Sequence, residues 1–487
     1  MTEKEKYIFE RKPVLGAIFS LAIPSILGQL ILVIYNMADT LFVGLTENEV
    51  MINAVTICIP AYMVITAISN LFGVGGASVI ARSMGKGFEK RARRSSSFAF
   101  YGCLILALFY CLLVALLSSS LTDYALPRIL GAHGQNETAI NASKYILFAI
   151  CLCGVPTAIN SLFSHLIRAQ GLSLHASIGI ALGGLLNVAL DPLFMFVIIK
   201  PGNEALGAGI ATGISNVVAM LYYVFIFIKL RKKLIVSVHF TPKMFKENIP
   251  REVFIIGLPA FLMTLCENIS YALLGYNMGL LSNTQVELSG VEVAKKVNMF
   301  AHNAVRGMAQ GILPLVGYNK SSGNRKRMRK IVLTSGAIAL SIALFAATIN
   351  VLPTGKLLIS IFLHGKNNNM MLRQQLGYKF LIIFSIGAPF SAIAYMVISF
   401  FQAVGKPWRS MILALLRKGI LDIPLMFILN VFIPKDGVGL VLATPIADAI
   451  CCIVAIIIFT HYIKYHSHNK GSYAINNETL VESNPLS

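Results

Sequence analysis

Residues 185–196 read LLNVALDPLFMF. Asn187 and Asp191 interrupt an otherwise apolar run, and a spacing of four stacks them on one face of a helix. Residues 34–44, IYNMADTLFVG, place Asp39 at the end of another apolar run, with Tyr35 and Asn36 within about one turn of it. An ionised carboxylate in the middle of a bilayer costs several kcal/mol, so it faces a cavity, finds a partner or becomes neutral. Low dielectric disfavours its charged form, which equips it to exchange a proton. With added oxygens it is also a ligand set for a hard cation such as Na⁺. Pro192 removes a backbone donor beside Asp191 and loosens the helix there. The plain structural alternatives are that Asp39 ends a helix near water, with Gly44 and Glu47 close behind, and that Asp191 caps a break.

A second set of polar residues lies in VEVAKKVNMFAHNAVRGMAQG, where Glu292, Lys296, Met299, Asn303, Arg306 and Gln310 follow at spacings of 4, 3, 4, 3 and 4. That is one continuous helical face. Inside a membrane such a face meets protein or a water-filled cavity rather than lipid. Intramembrane charges usually pair, so Glu292 is expected with Lys296 and Lys418 with Asp422. Arg306 has no acid one turn away. It is left to reach Glu267 or an anionic group of a substrate. Six histidines, at 133, 165, 175, 239, 302 and 364, are scattered singly and read as loop or packing residues. There is no GxSxG elbow, HExxH motif or phosphate-binding GxxxxGK[ST] loop. Hydrolytic chemistry and direct use of ATP through that loop have no residues here, and the chain is not expected to be an enzyme.

The elements that position these residues follow from composition. The chain is 56% hydrophobic and 13% charged over 487 residues, against about 25% charged in a soluble protein. The excess comes in twelve blocks, each long enough for the roughly 20 apolar residues that cross a bilayer. The net charge of +20 is concentrated at 82–94, 229–233 and 325–330. With the N-terminus inside, 28 of the 41 Lys and Arg fall on that side, 8 on the other and 5 within helices. The positive-inside rule then puts both termini in the cytoplasm. Loops of this kind attract anionic lipid headgroups rather than nucleic acid. The eight cysteines all lie in or beside apolar helices without a CxxC pair, so they read as small hydrophobes.

The chain is also written twice. LAIPSILGQLILVIYNMADTLFVG (21–44) pairs with IGLPAFLMTLCENISYALLGYNMG (256–279), the basic loop after the second block pairs with that after the eighth, and DPLFMF pairs with IPLMFI. The three pairs share an offset of about 232 to 237 residues. Six spans per half give both halves the same orientation, so the repeats are parallel. The expected architecture is an all-α polytopic membrane protein of twelve transmembrane helices in two six-helix parallel repeats. It divides into an N-lobe at 1–240, a C-lobe at 241–465 and a polar tail at 466–487. Two such lobes suggest alternating access around a midplane site.

IYNMADTLFVG, LLNVALDPLFMF and GAGIATGISN (207–216), taken in this order, resemble the MATE family, the multidrug and toxic compound extrusion transporters. The likeness spans about residues 10–465, and in detail it looks most like the bacterial MepA-like and DinF-like branch. The resemblance implies a cation-coupled antiporter, driven by H⁺ or Na⁺, that exports drugs and other organic, often cationic, compounds. It implies a site on the first and fifth helices, which on this chain is Asp39 and Asp191 with Asn187 and Thr212 in support. Another branch carries a coupling acid where Glu267 stands, eight residues after Pro259, together with an acid on the tenth helix. Residues 380–401 contain none. Flippases of lipid-linked substrates share the wider superfamily, and the basic stripe keeps that alternative open. The expected setting is the cytoplasmic membrane, as a monomer, with small organic substrates and lipids as partners and no cofactor besides the coupling ion.

Overall fold

The computed structural model describes residues 2–46, 49–120, 136–280, 284–363 and 369–468, and among them it is almost wholly helical, without a strand. A short α1 (Glu3–Glu10) precedes the N-lobe. That lobe comprises α2 (Val14–Leu45), α3 (Glu49–Gly85), α4 (Glu89–Ser120), α5 (Asn136–Tyr145) continuing into α6 (Gly154–Ala169), α7 (Ser173–Pro192) and α8 (Glu204–Lys229). The C-lobe comprises α9 (Ile249–Gly279), α10 (Thr284–Ser321), α11 (Arg325–Val351), a short α12 (Pro353–Phe362), α13 (Met370–Ala403), α14 (Pro407–Leu415) continuing into α15 (Asp422–Phe432), and α16 (Val438–His468). Most of the tail expected at 466–487 lies outside the described residues.

Nine of these helices are long and apolar enough to cross a membrane, and the pair Ile140–Leu152 and Gly154–Ala169, bent by 50°, makes a tenth. The remaining two rods are α10, which carries the basic stripe, and α14–α15, interrupted at Leu416–Leu421 by a π-helical turn that holds Arg417 and Lys418. Both lose apolar character to the charges they bring inside, and with them the count reaches the expected twelve. The outer faces are greasy: Ile105, Leu108, Phe109, Leu112 and Leu116 are exposed along α4. A stripe of that kind on a helix surface faces lipid.

The lobes meet on the side that carries the basic loops. There α3 packs on α9 so closely that a Cβ added at Gly257 would stand 1.7 Å from the Leu71 carbonyl oxygen, and one at Gly75 2.1 Å from that of Val253. Gly307 and Gly311 of α10 likewise press on Ile26 and Ala22 of α2. Small residues are what allow membrane helices to approach this far. Across the same seam Asn70 donates to Thr264 (2.9 Å) and Ser78 to the Gln402 carbonyl (2.6 Å). Just outside it, Arg82 and Arg91 both bind Glu252, at 3.1 and 2.6 Å.

α1 spans this seam. Its start is closed by a capping box of Thr2 and Glu5. Its Phe9 is fully buried, against Tyr318 of the C-lobe and the Gly171 turn of the N-lobe. At its C-terminal end the Arg327 guanidinium donates to the carbonyls of Ile8, Phe9 and Lys12 at 3.2, 3.0 and 2.7 Å. A cation there satisfies orphan carbonyls and complements the helix dipole.

Candidate functional site

In the N-lobe, α7 runs unbroken to Pro192 and then changes to a π-helical turn, Leu193–Ile198. The proline has no N–H to continue the ladder, and the change of pitch falls immediately after Asp191. That carboxylate is fully buried, with Asn187 and Thr212 almost so. Asn187 Nδ2 donates to Asp191 Oδ1 at 3.0 Å and lies 3.5 Å from Thr212 Oγ1. Asp191 Oδ2 and Asn187 Oδ1 are both buried without a hydrogen-bond donor. Two buried acceptor oxygens on neighbouring side chains with nothing donated to them are costly in low dielectric. A proton on Asp191, or a small cation bound there, relieves that cost.

Asp39, on α2, is the partly open member of the group. It lies within electrostatic reach of Asp191, of Tyr62 and Tyr145 in the same lobe, and of Lys296 on α10. Tyr35 stands against the Gly184 position of α7 and within reach of both acids. Asn36, half-buried, adds a polar group to the same stretch of α2. The structure therefore brings together the four residues singled out as cation-coupling, with Tyr35 and Asn36 beside them. Three partners had no signal strong enough in the sequence: Tyr62, Asn160 and Asn216. Asn216 donates to the Thr212 carbonyl (2.9 Å) and to Tyr62 OH (3.4 Å), and accepts from Asn160 (3.0 Å). Asn216 closes the GAGIATGISN run one turn after Thr212, and its spacing was the available clue.

The C-lobe uses its charges differently. Arg306 donates to Glu267 Oε2 at 2.6 Å and to Tyr395 OH at 2.8 Å, and Tyr395 OH lies 3.3 Å from Glu267 Oε1. Glu267 is thus held by a permanent counter-charge from α10 and a phenol from α13. It lacks the orphaned oxygens that mark Asp191. Arg417 and Asp448 form a pair at 2.6 Å with both side chains about 1% exposed, and Arg417 lies 4.2 Å above the Tyr395 ring. Lys418 binds Asp422 Oδ2 at 3.0 Å, as its i,i+4 spacing led us to expect. Asp422 also accepts from Ser270 (2.5 Å) and Thr444 (2.9 Å).

The stripe on α10 is not one site. The expected pair of Glu292 with Lys296 is not drawn into a direct ion pair: Glu292 is exposed, and Lys296 lies within electrostatic reach of Glu292 first and of Asp39 second. Asn303 bonds back to the Met299 carbonyl at 3.0 Å, a local helix contact. Gln310 belongs to the lobe seam, where its Oε1 accepts from Gln29 (3.2 Å) and from the buried Arg168 (3.0 Å). Periodicity places these residues on one face, but along a 38-residue helix successive turns meet different neighbours. Among the described residues no group of three or more His, Cys, Asp or Glu is placed to hold a metal ion.

The MatE family model matches the chain twice, over residues 24–193 and 259–428. The multidrug export protein MepA of Staphylococcus aureus (strain MRSA252) is 27% identical over 459 residues, which is 94% of this chain and 96% of that protein. Its namesake in Staphylococcus saprophyticus is 26% identical over the same shares. Among solved structures, an outward-facing multidrug resistance MATE family transporter of the MOP superfamily superposes with a TM-score of 0.82 at 21% identity, covering 96% of this chain and 99% of that one. A MOP superfamily transporter from Pyrococcus furiosus, described as having a binding pocket of reversed polarity, gives 0.80 at 22% identity over 95% and 98%. These last two likenesses establish the fold.

Proposed function

The chain belongs to the MatE family, and from that premise we propose that it is a secondary antiporter of the cell membrane, exporting organic, often cationic, compounds against an inward flow of H⁺ or Na⁺. One observation carries the coupling: the fully buried Asp191, with its Oδ2 and the neighbouring Asn187 Oδ1 lacking any donor. With the basic loops in the cytoplasm, the packed seam is the cytoplasmic gate, and this conformation faces outward. The ion then reaches the partly exposed Asp39 and passes to Asp191. Neutralising the pair removes the mutual repulsion of two acids in low dielectric. The helices that hold them, α2 and α7, repack, and the substrate is released outward. After the lobes rock, the ion leaves to the cytoplasm and a new substrate enters.

Purified protein in liposomes, given a pH gradient or a Na⁺ gradient separately, tests this reading. The wild type should concentrate ethidium under one of them. Asp191→Asn keeps the size and the hydrogen-bonding capacity but fixes the neutral form. It should fold and bind ethidium while losing gradient-driven accumulation, because the ion no longer distinguishes the two states. Asp39→Asn should do the same, and the double variant should be hardly worse. Accumulation by Asp191→Asn at the wild-type level refutes the coupling role. The runner-up, a flippase of lipid-linked anions, draws support from the basic stripe. It is weakened by Arg306, whose charge is already paired with Glu267 through Nη2, which also donates to Tyr395.

A further inference from the structure

The last turn of α6 carries a buried positive charge without a counter-charge. Arg168 sits there with 2% of its surface exposed. Its Nη1 donates across the seam to Gln310 Oε1 at 3.0 Å, beside Gln29 Nε2, which donates to the same oxygen at 3.2 Å. Gln310 is neutral. Among the described residues no carboxylate acts on the guanidinium, and its attraction is to the Tyr223 phenol. That phenol is uncharged near pH 7 and donates its own proton to the Ala176 carbonyl at 2.5 Å. The carbonyl end of α6 offsets at most about half a unit charge. Arg168 Nε and Nη2 are both buried without an acceptor. These two nitrogens form one edge of the guanidinium plane, the edge whose parallel N–H bonds take an anion between them. Two residues on, Gln170 Nε2 is also buried without an acceptor, while its Oε1 accepts from the Ile235 and Val236 N–H groups at 3.0 and 3.2 Å. The end of α6 thus has buried donors in surplus as well as an unmet charge.

We infer that the Nε–Nη2 edge of Arg168 is a buried site for a small monovalent anion of the size of chloride, enclosed when the lobes close on the basic-loop side. The inference concerns the seam and stands apart from what the chain exports. Charge sets the valence, since one guanidinium without a carboxylate matches one negative charge. A water on this edge would satisfy its N–H groups and leave the charge unmet, and an unpaired buried charge is the larger cost. Donor number sets the size. Two parallel N–H groups suffice for a monatomic anion, whereas a phosphate brings further oxygens and a second charge that need donors of their own. Because Arg168 is sealed in this conformation, the anion enters while the seam is open and is enclosed as the guanidinium comes onto Gln310. An anion held by the closed form alone stabilises that form by mass action. Closing the seam raises the anion's affinity by the same factor. The contact of Arg168 with Gln310 is therefore a chloride-dependent latch between the lobes.

The test uses the purified full-length protein, first in sodium gluconate and then with gluconate replaced by chloride at constant ionic strength. The melting temperature of the wild type should rise with chloride and saturate. Arg168→Gln keeps an N–H for Gln310 and removes the charge. In gluconate it should melt at or above the wild type, because no unmatched charge is buried, and chloride should leave it unmoved. Equal responses of the two proteins to chloride, or a wild type indifferent to it, overturn the site. Crystals of the wild type grown in sodium bromide read the site without any variant. An anomalous peak in contact with Arg168 Nε and Nη2 is expected, and a map with no peak there, the seam being closed, overturns the inference. The latch is read on Ser78→Cys in a background without the native cysteines. Chloride at ten times the midpoint of its titration should slow maleimide labelling from the basic-loop side about tenfold. With Arg168→Gln added, chloride should make no difference. Labelling slowed equally in both backgrounds overturns the latch and assigns the effect to bulk salt.

Discussion

The closest approach between the lobes gives the sharpest test of the gate. Gly257 of α9 faces the Leu71 carbonyl of α3, and the Cβ of Gly257→Ala would stand 1.7 Å from that oxygen. Side-chain carbons do not come nearer than about 3 Å to a backbone oxygen, the range of a close C–H···O contact. The two helices must therefore part by an ångström or more. Neither can yield locally, because the clash is with backbone and the next turn of the seam repeats it at Gly75 and Val253. Overpacking of this kind costs about 1–3 kcal/mol. The cost falls on the conformation in which these helices touch and is relieved in the one in which they separate. At 1.4 kcal/mol per factor of ten, the balance between closed and open seam should shift by roughly ten- to a hundredfold toward open. Ser78, buried in the seam with its hydroxyl on the Gln402 carbonyl, is the reporter. In a background with the eight native cysteines replaced, Ser78→Cys should be protected from a membrane-impermeant maleimide added on the basic-loop side. Adding Gly257→Ala should make it reactive at least tenfold faster and slow substrate export. Protection and export both at the level of the parent would refute the reasoning and show that the glycine contact is not part of a moving gate.

Arg306→Met leaves the Glu267 carboxylate facing the C-lobe interior without its counter-charge. Breaking such a pair costs about 3 kcal/mol or more, and the yield of folded protein on size-exclusion chromatography should fall. Arg306→Met with Glu267→Gln should restore it, whereas a double variant no better than the single would mean that the arginine acts through something other than this pair. Arg327→Ala removes three contacts to the end of α1 and should weaken its docking by about 1–2 kcal/mol. Faster tryptic cleavage after Arg11 and raised Ser78→Cys labelling are expected together; cleavage without labelling would make α1 an appendage rather than a brace across the seam.

The sequence by itself determined the class of molecule, the helix count, the doubling and the common helical face of Asn187 and Asp191. Each of these is written locally. Apolar length counts spans, because a bilayer has one thickness. The doubled motifs carry the repeat. The four-residue spacing of Asn187 and Asp191 fixes their common face before any tertiary contact forms. Only the tertiary structure decided what each charge in the C-lobe meets. Glu292 and Lys296 have the spacing of a pair, yet they make no direct ion pair, and Lys296 also comes within electrostatic reach of Asp39 on a helix far away in sequence. Asp448 drew no notice in the sequence and proves to hold Arg417 from 31 residues away. Tyr395 joins Arg306 to Glu267 from 89 and 128 residues away. No periodicity encodes such meetings. They arise when helices distant in sequence pack, and low dielectric then forces each buried charge onto whatever partner the packing supplies.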